Sequence, residues 1–154
     1  MRSEKTRIQP LTSHLSPPAR GVPPYLGVGR VMATVRAVRG ATTVSGNEAA
    51  NIIEGTARLL LQMAEENGIG ENDIISVIFT VTGDLDAAFP AEAARRIGWM
   101  NTPLMCMTEI PVPGSLQKCV RVLMHINTEK EKAGIRHVYL EGAKVLRPDL
   151  ADRE

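Results

Sequence analysis

Two arginines stand beside positions that strand periodicity marks as apolar. In RAVRGATTV, positions 36 to 44, alternation of side chains puts Arg39 on the same face as Val35 and Ala37. In KCVRVLMHIN the even positions Val120, Val122, Met124 and Ile126 form one apolar face, and Arg121 stands on the other with Cys119, Leu123 and His125. A guanidinium at a half-buried position needs an anionic partner, because an unpaired buried charge is strongly destabilising. That partner is a carboxylate of the protein or one brought by a ligand. Two more polar groups interrupt apolar stretches. Glu109 ends TPLMCMTE and shares a parity with Met105 and Met107, and Tyr139 sits in RHVYLE. Two arginines, a carboxylate and a phenol, all on predicted strands, could line one pocket. The bland alternative is an internal Arg39–Glu109 salt bridge, an Arg121 that reaches solvent at a sheet edge, and a core tyrosine whose hydroxyl meets water. Spacing alone leaves both open.

The remaining reactive side chains are scattered. Cys106 and Cys119 have no CxxC pattern and no histidine at ligand spacing, and His14, His125 and His137 are equally dispersed. No metal and no cofactor is expected, and the two thiols read as reduced cysteines of a cytoplasmic protein. With 154 residues, 44% of them hydrophobic and 23% charged, the chain is about one soluble domain long. Only 3% is aromatic, so the core must be aliphatic and methionine-rich. A net charge of +1 gives no electrostatic case for nucleic acid or an anionic membrane. No stretch approaches the roughly 20 apolar residues of a membrane-spanning helix.

The elements that must position these groups follow from punctuation. ATVRAVRGATTV is a first strand. SGNEAANIIEGTARLLLQMAEENG opens with Ser45 and Glu48 at capping-box spacing, carries Ile52, Ile53, Leu59, Leu60 and Met63 on one stripe, and closes at Asn67 and Gly68. DIISVIFTVTGDL is a central strand, and AAFPAEAARRIG a short helix with Pro90 at its first position and Gly98 as its stop. TPLMCMTEI and KCVRVLMHIN are strands joined by the turn PVPGS; EKEKAG is a short helical piece; RHVYLEGAKVLRPDL is a last strand and tail. The order β-α-β-α-β-β-α-β predicts an α+β fold, a mixed β-sheet packed with helices on one face.

Residues 1–32 differ in kind. The first 31 hold five of the ten prolines, and Arg2, Lys5, Arg7, Arg20 and Arg30 against Glu4 give them +4, leaving the remainder at −3. They read as a disordered basic extension, dispensable for activity, with Met32 as an alternative start. The domain proper is expected over 33–150, with 151–154 as a C-terminal tail.

RGATTV, DLDAAFPAEAAR, CMTE, PGSLQKCVRVLM and RHVYLEGAKVLRPDL together resemble the trimeric, monofunctional chorismate mutases of the Bacillus type, over about residues 33 to 150. The resemblance implies a homotrimer in which three sheets form a pseudo-α/β-barrel, with an active site at each subunit interface. It also implies an isomerase that converts chorismate to prephenate, toward phenylalanine and tyrosine, by a Claisen rearrangement without cofactor, metal, nucleophile or proton shuttle.

Carried over by motif, the resemblance places Arg121 at the ether oxygen and a carboxylate of the substrate, Arg39 and Tyr139 at the side-chain carboxylate, and Glu109 at the ring hydroxyl. Met105, Cys106, Met107 and Thr108 would complete that wall. Phe89 and Ala91 of the neighbouring subunit would cap the ring, with Arg95, Leu146 and Arg147 about the entrance. Three features depart from the pattern: Glu92 stands where relatives often carry lysine, the link from Arg95 to Trp99 is one residue shorter than in some, and the basic extension has no counterpart in the shortest members. Rival readings are a trimeric enamine deaminase of similar architecture and a non-catalytic sensor of an aromatic-pathway metabolite.

Overall fold

A computed structural model describes residues 32–151; the expected N-terminal extension and the end of the expected tail, 152–154, lie outside the described residues. Five strands form one mixed sheet: β1 (Thr34–Thr43), β2 (Ile74–Val81), β3 (Leu104–Thr108), β4 (Cys119–Thr128) and β5 (Val138–Leu140), in the spatial order β3-β2-β4-β1-β5. β4 runs antiparallel to both β1 and β2, whereas the outer pairs β2–β3 and β1–β5 are parallel. The helices are α1 (Ala49–Asn67), α2 (Ala91–Arg96) and α3 (Pro148–Ala151).

The helix-side face is a continuous aliphatic core. The α1 stripe of Ile53, Leu59, Leu60 and Met63 meets Val38, Val77, Phe79, Val122, Met124 and Ile126 of the sheet and Ala93 and Ala94 of α2. Contact is close: a Cβ on Gly40 would run into the Met63 sulfur, so glycine lets strand and helix approach without displacing that side chain. α1 stops where expected. Gly68 takes the left-handed φ of 63° and its N–H donates to the Glu65 carbonyl.

Three local expectations need correction. The capping box is absent: α1 starts at Ala49 after Glu48, which makes no side-chain cap bond. The preceding residues bond elsewhere, with Asn47 Oδ1 accepting the N–H groups of Asp86 and Ala87 and the Ser45 carbonyl accepting Lys118 Nζ. PVPGS turns the chain as expected, but the strands it joins are not neighbours, because β2 lies between β3 and β4. EKEKAG makes only a single 3-10 turn, Lys132–Gly134. RHVYLEG supplies a strand of three residues, after which Glu141–Leu146 is 3-10 helix and Pro148–Ala151 is helical, so the expected tail is structured where it is described.

Candidate active site

The opposite face of the sheet carries the predicted polar groups. Pairing registers place Tyr139, Ala41, Arg121, Thr80 and Met107 in one row across β5, β1, β4, β2 and β3. The adjacent row is Arg39, Leu123, Ile78 and Met105. Arg39 and Arg121 are therefore diagonal neighbours on adjacent strands, a separation of roughly 7–8 Å between Cα atoms. Glu109 follows β3, where its N–H donates to the Val81 carbonyl at 2.8 Å.

Arg39 is exposed in the single chain, together with Val35 and Ala37, so the half-buried setting inferred from its apolar neighbours does not hold there. Their face lies away from α1 and α2, and only its end near Ala41 and Tyr139 is covered, by the C-terminal 3-10 and α3 segments. The internal pair is formed by Arg121, whose Nη1 donates to Glu109 Oε2 at 2.7 Å, with both side chains about one-fifth exposed. The Thr80 hydroxyl donates to the other carboxylate oxygen. Arg121 Nε is buried and finds no acceptor among the described residues. The result is a guanidinium oriented by a carboxylate that is itself oriented, with the Cys119 thiol beside it.

Tyr139 is buried in a small second core with Ala41, Cys119 and Ala143, flanked by Leu116, Leu146 and Leu150. Leu146 thus packs beside the tyrosine. Burial pushes the Cys119 thiol up, while the charge of Arg121 acts against that shift. Arg147 is held bidentately by Asp149 at 2.8 and 2.7 Å, which pushes its pKa up; the Tyr139 phenol contributes in the same direction.

Not every predicted wall residue joins this group. Cys106 and Thr108 have the opposite parity to Met105 and Met107. Cys106 lines a separate cleft with Phe89, Pro90 and Leu85 at the foot of α2, where the Ala91 backbone hydrogen-bonds the thiol although burial still raises its pKa. Phe89 is exposed, and Ala91 sits half-buried at the start of α2. Arg95 is not a free cation at an entrance: its guanidinium donates to the carbonyls of Trp99 and, at 3.0 Å, Thr102. Glu92 is bonded to Arg96 at 2.7 Å.

Sequence reasoning missed three groups. Thr80 was legible in principle, since it has the parity of Ile78 in IISVIFTV. Asp84 was not. Although its burial acts to raise its pKa, hydrogen bonds from the Thr82 hydroxyl and the Lys118 N–H hold it low, and Lys118 N–H to Asp84 Oδ2 spans 2.8 Å. Asp84 lines a cleft with Glu109, Arg121 and the loop from Ile110 to Gln117. His137, whose Nδ1 accepts the Arg39 N–H at 3.1 Å, gave no spacing signal. Among the described residues no cluster of three or more His, Cys, Asp and Glu is arranged to hold a metal, and no helix is long and apolar enough to cross a membrane.

Comparisons with known proteins point one way. Residues 35–150 match the family model for chorismate mutase type I. A protein of Thermus thermophilus named chorismate mutase AroH is 51% identical over 117 residues, 75% of this chain and 96% of that protein. Its namesake from Bacillus subtilis strain 168 is 44% identical over 118 residues, 76% of this chain and 93% of the relative. A solved chorismate mutase from Clostridium thermocellum superposes with a TM-score of 0.71 at 66% identity, covering 71% of this chain and 98% of its own. A mixed sheet carrying two arginines and a carboxylate on the face opposite α1 and α2, matched over nearly all the described residues, makes this chain a member of the type I chorismate mutase family.

Proposed function

We infer that the chain is an isomerase, a chorismate mutase that rearranges chorismate to prephenate on the route to phenylalanine and tyrosine. The observation that carries the mechanism is the Arg121–Glu109 pair, a guanidinium held in place at 2.7 Å whose buried Nε meets no acceptor among the described residues. The reaction breaks one carbon–oxygen bond and forms one carbon–carbon bond within a single molecule, so no proton, nucleophile or cofactor takes part. What grows in the transition state is negative charge on the ether oxygen, in a compact chair-like geometry.

Arg121 meets that charge. Its planar fork serves the oxygen and an adjacent carboxylate while Glu109, steadied by Thr80, accepts from the ring hydroxyl. Arg39 and Tyr139 grip the side-chain carboxylate and hold the folded conformer. Enzymes at the low end of the known range lower their barriers by roughly 8 kcal/mol, and one preorganised donor at a developing oxyanion contributes about 3–4. Arg121 accordingly supplies a third to a half of the effect, and conformational restriction supplies the remainder.

The exposed apolar residues favour assembly. Val35, Met105, Met107 and Leu123, 58%, 57%, 42% and 38% exposed, share the face that bears the site. An apolar sheet face of this kind is buried against other copies, here in a homotrimer whose sheets close into a pseudo-barrel. Phe89 and Cys106, which the single chain holds apart from Arg121, belong to the neighbouring site in that arrangement. A chain starting at Met32 retains trimer and turnover.

Purified protein added to chorismate tests the reading directly. The expected outcome is loss of chorismate absorbance far above the uncatalysed rate, with prephenate as product. Binding without turnover favours the sensor, and hydrolysis of enamines with chorismate untouched favours the deaminase. Sedimentation of the full chain and of the Met32-start version checks the assembly.

A further inference from the structure

β1 lies between β4 and β5, so its N–H groups alternate between the two neighbours. The parallel ladder with β5 begins only at the pair Gly40 and Val138. One residue earlier, the Arg39 N–H is directed to the β5 side, and its acceptor there is an imidazole, His137 Nδ1 at 3.1 Å. The segment bearing that imidazole is anchored in turn. Asn67, buried at the end of α1, donates from Nδ2 to the Arg136 carbonyl at 2.8 Å and accepts the Arg136 N–H on Oδ1 at 2.8 Å. A second donation from Nδ2, to the Met63 carbonyl at 2.9 Å, ties the amide to its own helix. A line of hydrogen bonds thus runs from the helix core to the main chain of Arg39.

We propose that His137 is a positioning residue for the rearrangement: its neutral imidazole, accepting through Nδ1, fixes the main chain from which Arg39 reaches the substrate carboxylate. This rests on the mutase reading and adds a residue to it. An acceptor at Nδ1 requires the ring proton on Nε2, and a second proton would remove the lone pair that receives the Arg39 N–H.

The surroundings oppose that second proton. Arg39 on β1 and Arg147 after the C-terminal 3-10 segment act on the ring with positive charge, and the cleft that His137 lines also holds Lys132, Arg136 and Lys144. Glu66 on α1 is the carboxylate among the cleft-lining residues, and the Tyr139 phenol faces the same space. Burial first, then Arg147 and Arg39, hold the imidazole below its ordinary value of 6.5. Because the folded pKa is depressed, the unfolded chain binds more protons in the window just below 6.5. The contribution of this contact is therefore complete above that value and is lost as pH falls through the folded pKa.

Steady-state kinetics against pH for the full chain, His137→Ala and His137→Asn provide the test. Asparagine puts Oδ1 where Nδ1 stood and does not titrate. The alanine variant should raise KM roughly fivefold, the equivalent of one hydrogen bond, with a smaller fall in kcat because Arg121 is untouched. The wild type should show an acid limb of kcat/KM below 6.5, and the asparagine variant should recover most of the KM and lack that limb. Nitrogen NMR of the wild-type imidazole needs no variant to fold: it should show an unprotonated Nδ1 at neutral pH, with the Arg39 amide moving in the same titration. A protonated Nδ1, an unaltered KM in the alanine variant, or an acid limb retained by asparagine would overturn the assignment. A wild-type chain that leaves chorismate unchanged brings down the mutase reading and this one with it, whereas an active wild type with any of those three results brings down this one alone.

Discussion

The two faces of the sheet obey different rules. The helix-side face is closed and apolar: Val38, Val77, Phe79, Val122 and Met124 are all at most 2% exposed, and Gly40 gives way to the Met63 sulfur. The other face mixes charge with exposed methionine and valine, and its most ordered feature is the Arg121–Glu109 ion pair. Most of the apolar core lies on one side of a single layer of backbone and the charged groups on the other, where a smaller core around Tyr139 covers only one end. Successive residues of one strand therefore serve different ends. Val120 and Val122 hold the fold, and Arg121 between them is free to be chosen for the substrate.

The division is broken most severely from the helix side. Phe79 is fully buried against α1 and α2, so Phe79→Ala should cost about 3–5 kcal/mol of unfolding free energy, read as a lower urea midpoint at unchanged slope. The fraction that remains folded should turn over chorismate normally. A large fall in kcat per folded molecule, with the midpoint unmoved, would mean that the two faces are not separate.

The converse change sits one pleat away. Replacing Arg121 by citrulline keeps the shape and a donor for Glu109 but removes the charge, so kcat should fall by at least about a hundredfold. Thermal stability should shift by about 1 kcal/mol or less, since the pair is partly exposed and the hydrogen bond survives. Arg121→Lys should also turn over poorly, because a point charge cannot reproduce the fork. Near-wild-type turnover in the citrulline protein would remove electrostatic stabilisation from the mechanism.

What was legible in the sequence tracks this same division. Period-two alternation identified the face on which Arg121, Glu109 and Met107 stand, and period 3.6 found the α1 stripe, because both patterns record which side of an element is buried. Strand neighbours were not legible. β3 pairs with β2 across the α2 crossover, and no local signal in PVPGS separates that from a hairpin with β4. The capping expectation at Ser45 failed for a similar reason: Asn47 is drawn to the main chain of residues 86 and 87, a contact 40 positions distant at its farthest. Arg39 was placed on the right face but in the wrong environment, since apolar neighbours signal burial within one chain only when that chain covers them. The exposed Val35 beside it carries the same ambiguity.

Arg95 gives the finest test of the comparison, because motif and geometry assign it opposite roles. By motif it belongs at the pocket entrance, gathering an anion. In the structure its guanidinium closes the end of α2 by donating to Trp99 and Thr102, the work of a residue on the structural side. Charge-assisted hydrogen bonds to carbonyls are worth about 1.5–3 kcal/mol when buried, and partial exposure of Arg95 brings the expected loss in Arg95→Met to about 1–2 kcal/mol. KM for chorismate should rise by no more than about twofold if those carbonyls remain its partners when substrate is bound. The salt dependence of kcat/KM separates the roles further, since a steering cation would be screened and a helix-closing one would not. A variant with unchanged melting and a tenfold higher KM would mean that Arg95 swings out to meet the substrate, and that α2 serves the site by releasing a residue it normally holds.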